Sequence, residues 1–202
     1  PLVVMLPDER EACAERDPLK RPFFGDLHVH TALSFDAVTF DVRVRPADVY
    51  TFAKGGTLGL PPYDAAGAAT RTVTLSRPLD FAAVTDHSEF LAEAPLCWTP
   101  GTEAYDSSTC VGYRAGMHEI GDFGPITSVF VTVPPLRAPL CRADPELCAR
   151  ALGDSWGEIM DAAESAYDRT SDCSFTSFVG YEWTGAPAGS NIHRNVIFRS
   201  RT

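Results

Sequence analysis

A chain of 202 residues with 45% hydrophobic content is long enough for one well-buried domain and too short for two of ordinary size. Its net charge of −10 and pI near 4.9 argue against nucleic acid as a main partner, because a phosphate backbone rewards clustered Lys and Arg. No run approaches the roughly 18 apolar residues that cross a membrane, and the opening Pro-Leu-Val-Val-Met-Leu-Pro lacks a basic start, so at most it is the tail of a removed targeting segment.

Residues 1–22 read as an irregular lead-in, with a short helix offered around 8–16. Residues 23–30 form the first buried strand. In Phe24-Gly-Asp-Leu-His-Val-His-Thr31 the alternation of a strand sends His28 and His30 to one face, where both imidazoles can hold one metal ion. Asp26 faces the same side but sits too early to be an obvious ligand. Asp36 follows a Ser34-Phe35 turn and can fold back toward the same mouth, or simply cap the loop.

Pro46 and Gly55 bracket a helix, proline at its start and glycine at its end. Residues 55–67 read as Gly/Pro-rich loop and 72–75 as a short strand. The near-continuous apolar run 79–85 suits a strand covered on both faces, and it delivers Asp86 and His87 at its C-terminal end. Neighbours on a strand diverge, so we take His87 as the ligand and Asp86 as the acceptor that orients an imidazole. A polar strand end with a turn is the plain alternative.

A short helix near 88–94 leads into an insertion, about 95–150, that holds four of the six cysteines (97, 110, 141 and 148, with 13 and 173 outside it). None forms Cys-x-x-Cys. Loops with little core of their own gain most from cross-links, so disulfides and an oxidising compartment, periplasmic or extracellular, are expected over reduced buried thiols. Local pairing of Cys97 with Cys110 and Cys141 with Cys148 would leave Cys13 with Cys173, although six cysteines allow many connectivities and the pattern does not choose. His118, beside Glu119 in this region, reads as a surface histidine.

Asp154 is placed to cap a helix through Asp168, with Trp156, Ile159, Met160, Ala163 and Tyr167 at helical spacing as core. Residues 174–181 form a strand that delivers Glu182 at its end. A carboxylate between Tyr181 and Trp183 is costly unless a cation or donor meets it, and bridging two metals is the role that fits. His193 precedes a last strand, 195–199, and can complete the second metal's shell. Arg194 beside it is either a solvated surface charge or a holder of an anionic substrate. The recurring unit is a strand with a ligand-type residue at its C-terminal end, which is where α/β folds gather functional groups.

Four motifs, Gly-Asp-Leu-His-Val-His-Thr, Leu-Asp-Phe-Ala-Ala-Val-Thr-Asp-His-Ser-Glu, Phe-Val-Gly-Tyr-Glu-Trp-Thr and Asn-Ile-His-Arg-Asn-Val-Ile-Phe, occur in order, and from about residue 21 onward the chain resembles the domain of unknown function 3604 family, a branch similar to the polymerase and histidinol phosphatase (PHP) superfamily. The resemblance implies an α/β fold, a distorted (β/α)7 barrel holding two or three divalent metals (Zn, Mn or Fe) that hydrolyse phosphoesters. It implies His28 and His30 on the first metal, Glu182 bridging the first and second, and His193 on the second. His87 would hold the third, with Asp36 standing where many superfamily members have histidine. The superfamily pattern continues with a further histidine and an Asp-x-His that do not occur before Thr202, so 23–202 is read as the N-terminal part of such a domain, with an incomplete metal site.

The function expected is therefore metal-dependent hydrolysis of a small phosphorylated or anionic substrate by water activated between cations, with Glu182 and Asp86 as the catalytic candidates and no serine, cysteine or lysine nucleophile required. Amide or lactone hydrolysis of the amidohydrolase type shares the His-x-His strand, but no strand-end lysine is visible. A secreted binding module with structural metals is the reading from another class.

Overall fold

A computed structural model of the chain describes residues 10–15, 17–116, 137–185 and 190–199. His118 and Glu119 lie outside the described residues. The architecture is mixed α/β, built on a four-stranded sheet that curls into a half-barrel. Strand β1 (Gly25–Val29) pairs parallel with β4 (Phe81–Val84), which pairs parallel with β5 (Thr176–Gly185). On the far side of β5 lies β6 (Ile192–Phe198), which runs antiparallel.

One face of the sheet carries the core. Helix α2 (Pro46–Ala53) starts where proline needs no N–H partner, and the Asp48 carboxylate accepts from the Arg45 N–H at 2.9 Å. Gly55, at φ +95°, turns the chain out of it. Val49, Tyr50 and Ala53 of α2 pack with Ile159, Ala162 and Ala163 of the long helix α6 (Pro145–Ala166) against Val84, Phe175 and Val179. Tyr50 fastens this layer to the sheet: its hydroxyl donates to Phe178 O at 3.0 Å and accepts from Val84 N at 3.2 Å. Burial pushes its phenol up to about 12, so the group stays neutral.

The described residues of the cysteine-bearing insertion are largely helical and share a core of their own. The short helix α1 (Phe35–Thr39), α3 (Glu93–Trp98), α4 (Ser108–Gly116) and α5 (Pro139–Ala143) bring together Phe35, Phe90, Leu96, Tyr113 and Leu147 around two disulfides. These are Cys97–Cys110 and Cys141–Cys148, and the third, Cys13–Cys173, ties the lead-in to the approach of β5. The disulfides are consistent with an extracellular location. Among the described residues no helix is long and apolar enough to cross a membrane.

Four boundaries differ from the sequence reading. Residues 10–15 form no helix. The Gly/Pro-rich segment after Gly55 is mostly strand: β2 (Thr57–Tyr63) pairs antiparallel with β3 (Ala69–Thr74) as a separate two-stranded sheet, which tolerates Pro61 and Pro62 because an edge strand leaves donors unpaired. Asp144, not Asp154, caps the long helix, its carboxylate accepting from Leu147 N at 2.9 Å. Strand β5 continues past Glu182 to Gly185, and β6 begins before His193, so both residues stand within strands.

Candidate metal centre

The C-terminal halves of β1, β4 and β5 open onto one cluster. His28 Nε2 and His30 Nε2 lie 2.9 and 2.7 Å from Glu182 Oε2, and His87 Nε2 lies 3.8 Å from the same oxygen. His193 Nδ1 contacts the other carboxylate oxygen, Oε1, which is buried and accepts no hydrogen bond among the described residues. Asp36 Oδ2 sits 2.8 Å from His30 Nδ1 and 3.6 Å from His87 Nε2. The six residues thus fall into three overlapping triads: His28, His30 and Glu182; His87, Glu182 and His193; His30, Asp36 and His87. Within each, the ligand atoms lie within 4.8 Å of one another.

Strand geometry explains the convergence. β5 and β6 pair Glu182 with Asn195 and Thr184 with His193, so the alternation puts Glu182, Thr184 and His193 on the same face. His87 joins β5 through an isolated bridge to Glu182. Burial is graded: the Glu182 side chain is 1% exposed and His87 4%, whereas His28 is 57% exposed and marks the open mouth.

These geometries bear on three sequence expectations: the imidazole-orienting role of Asp86 and the facing of Asp26 are corrected, and for Arg194 the alternative of a solvated surface charge is the one favoured. Asp86 orients no imidazole; its two oxygens accept from the backbone N–H and the hydroxyl of Thr31, locking the turn that follows His30. Arg194 pairs across the strands with Trp183 and so faces away from Glu182 and His193, its guanidinium donating to His193 O at 2.7 Å. Asp26 also leaves the face assigned to it. The register slips between Asp26 and Val29, so Asp26 aligns with Ala82 and its carboxylate accepts from His28 N at 2.9 Å.

Three supporting residues were not singled out from sequence. Ser34, fully buried, donates to Asp36 Oδ1 at 2.6 Å and accepts from His87 N at 3.2 Å. Thr184 Oγ1 lies 2.9 Å from His87 Nδ1 and 3.4 Å from His193 Nδ1. Glu89 accepts from Thr184 N at 2.8 Å. Thr184 was within reach, since it stands two residues beyond Glu182 on a strand.

The electrostatics describe a crowded anionic cluster. Burial works against ionising Asp36, yet the hydrogen bonds from His30 and His87 outweigh it and hold the carboxyl well below its usual range. Burial opposes charging of His87, but Asp36 and Glu89 outweigh it and raise the imidazole to about 9. His30 is likewise raised by Asp36 against burial, and Glu182 is lowered by His87 and His30 against burial. Asp86, by contrast, is pushed up to about 6 by burial that Thr31 only partly offsets. A divalent cation binds such groups deprotonated, so cation and proton would compete for them. Four imidazoles and two carboxylates without a thiolate fit zinc, manganese or iron.

A fourth triad, Glu93, Cys141 and Cys148, does not qualify, because both sulfurs are spent in a disulfide. A cavity of about 580 Å³, walled by Phe23, Leu27, Phe81 and Phe178, has no histidine among its lining residues and shows no comparable chemistry. In comparisons with known proteins, a family model described as protein of unknown function (DUF3604) matches residues 17–202. No curated protein and no solved structure matches the chain.

Proposed function

Because the chain belongs to the DUF3604 family, whose description names no activity, we propose from its own residues that it is a metal-dependent hydrolase of the PHP kind acting on phosphoesters. The observation that carries this is the sharing of Glu182 between two of the three triads. His28, His30 and Glu182 would hold one cation, and His87, His193 and Glu182 a second. His30, Asp36 and His87 would hold a third. Divalent cations so held would supply Lewis acidity, lowering the pKa of water from 15.7 to about 7 and drawing charge from a phosphoryl oxygen.

The chain's own contribution is placement and charge. Glu182 brings its negative charge into a buried position where only cations or imidazolium groups make it affordable. Asp36 keeps His30 and His87 turned toward the cluster, and Asp86 fixes the backbone at Thr31 just after His30. Phe35 lies 4.8 Å from the His87 ring and keeps water off that side. An anionic small-molecule substrate would approach at the exposed His28. The half-barrel would be part of a (β/α)7 barrel, and the three disulfides are consistent with a location outside the cytoplasm.

The test is metal analysis of the purified protein together with a panel of phosphomonoesters and phosphodiesters. Glu182→Gln is expected to lose more bound metal and turnover than the roughly 10–100-fold that loss of a supporting residue costs. Retention of metal and turnover in that variant overturns the reading. Metal bound by the natural protein with no turnover on any ester points instead to a metal-stabilised binding module.

A further inference from the structure

Glu89 is a partly buried acid that the reading above leaves without a task. It sits on the single 3-10 turn Ser88–Phe90 that follows His87, with its side chain 16% exposed. Its Oε1 is fully engaged, accepting from Thr184 N at 2.8 Å and from Ser88 Oγ at 3.1 Å. Its Oε2 is buried, has no hydrogen-bond partner among the described residues, and lies 3.6 Å from His87 Nδ1. A buried carboxylate oxygen is not left unpaired without cost, and the group facing it here is the imidazole edge turned away from the cluster.

The two nitrogens of His87 therefore face different surroundings. Nε2 looks into the triads, toward Asp36 Oδ2 and Glu182 Oε2. Nδ1 faces Thr184 Oγ1, a hydroxyl that can accept or donate, at 2.9 Å, and beyond it Glu89 Oε2, which can only accept, at 3.6 Å. A proton on Nδ1 is stabilised by both, and Nε2 is then the nitrogen with a free lone pair. Glu89 also reaches the backbone of the strand that bears Glu182, since it holds Thr184 N, so one carboxylate couples the turn after β4 to β5.

We propose that Glu89 is a positioning residue that acts through His87 and Thr184, keeping the His87 proton on Nδ1 so that Nε2 is presented to a divalent cation. This rests on the metal-centre reading. The recognition is for cations that accept imidazole nitrogen, and the residue touches neither substrate nor cation.

The test compares the natural protein with Glu89→Gln and Glu89→Ala. Zinc and cobalt(II) affinities are measured by titration, with the visible spectrum of the cobalt form reporting the shell. Long-range nitrogen NMR of the imidazoles of the metal-free protein is recorded at alkaline pH, where they are neutral. The expected result is Nδ1–H on His87 in the natural protein and a mixed tautomer in Glu89→Ala. The same variant is expected to show a 10–100-fold weaker cation held through His87 and a changed cobalt spectrum, while a cation held by His28 and His30 keeps its affinity. Glu89→Gln, which retains an acceptor for Thr184 N but not the charge, falls between. An unchanged His87 tautomer and unchanged affinities in Glu89→Ala overturn the proposal. So does an equal loss at every site accompanied by a lowered melting temperature of the metal-free protein, which would make Glu89 merely structural. If the natural protein binds no divalent cation, the metal-centre reading fails, and the tautomer measurement still decides whether Glu89 sets the imidazole.

Discussion

Glu93 shows how a single side chain can carry a pH dependence. It is 2% exposed, and its Oε1 lies 3.0 Å from the Cys141 sulfur. A disulfide sulfur has no proton to give, so the contact is a hydrogen bond only with the carboxyl protonated. Burial accordingly raises Glu93 above its ordinary 4.5, with Arg137 offsetting part of the shift. The native state binds this proton more tightly than the unfolded chain. Its contribution to stability is therefore complete below 4.5 and lost as pH rises through the folded value. Glu93→Gln, which keeps a donor and removes the titration, is expected to flatten the pH dependence of the melting temperature across that window. A second residue-scale prediction concerns Asp86: Asp86→Ala leaves the Thr31 N–H and hydroxyl without their acceptor, and denaturant unfolding is expected to show a loss of about 1–3 kcal/mol.

At the scale of elements, the close approach of β5 and β6 fixes where His193 lies. A Cβ on Gly180 would stand 2.9 Å from Val196 O and 2.9 Å from Ile197 Cδ1, and the backbone oxygen cannot step aside. Gly180→Ala is expected to push β6 outward, destabilise the fold by about 1–3 kcal/mol, and weaken the triad that needs His193 more than the one built on His28 and His30; metal titration beside thermal unfolding checks both. Strands β4 and β5 were readable because apolar runs ending in histidine or glutamate leave few other assignments, whereas β1, expected to be a buried strand, is largely exposed, Leu27 and the neighbouring Phe24 included. What escaped the sequence was local geometry. The slip in β1 that removes Asp26 from the histidine face leaves no trace in residue type. Nor does the extension of β6 back to Ile192, which puts Arg194 on the far face. The β2 and β3 pair was hidden by Gly59, Pro61 and Pro62, residues that argue against a central strand but not against an edge. The support from Ser34 and Glu89 depends on contacts between distant segments that no spacing announces.

Across the whole molecule the three disulfides differ in reach. Cys13 and Cys173 are 160 residues apart, whereas Cys141 and Cys148 are 7 apart. Loop-closure entropy makes the long bridge worth about 5 kcal/mol and the short one about 2 kcal/mol. Replacing Cys13 and Cys173 together by serine is expected to lower the denaturation midpoint more than replacing the short pair. The curl of the sheet has a further consequence. Asn195 of β6 donates its side-chain N–H to Leu27 O of β1 at 2.8 Å, although β4 and β5 lie between those strands in the sheet order. His28 and His193 stand near this same meeting point, one from each outer strand. Cations held by the two triads that share Glu182 would tie β1, β5 and β6 together as a clasp on an otherwise open ring, so adding zinc should slow hydrogen exchange of the β6 amides far more than those of α2. The ion would then be a fastener of the architecture as much as a reagent in it.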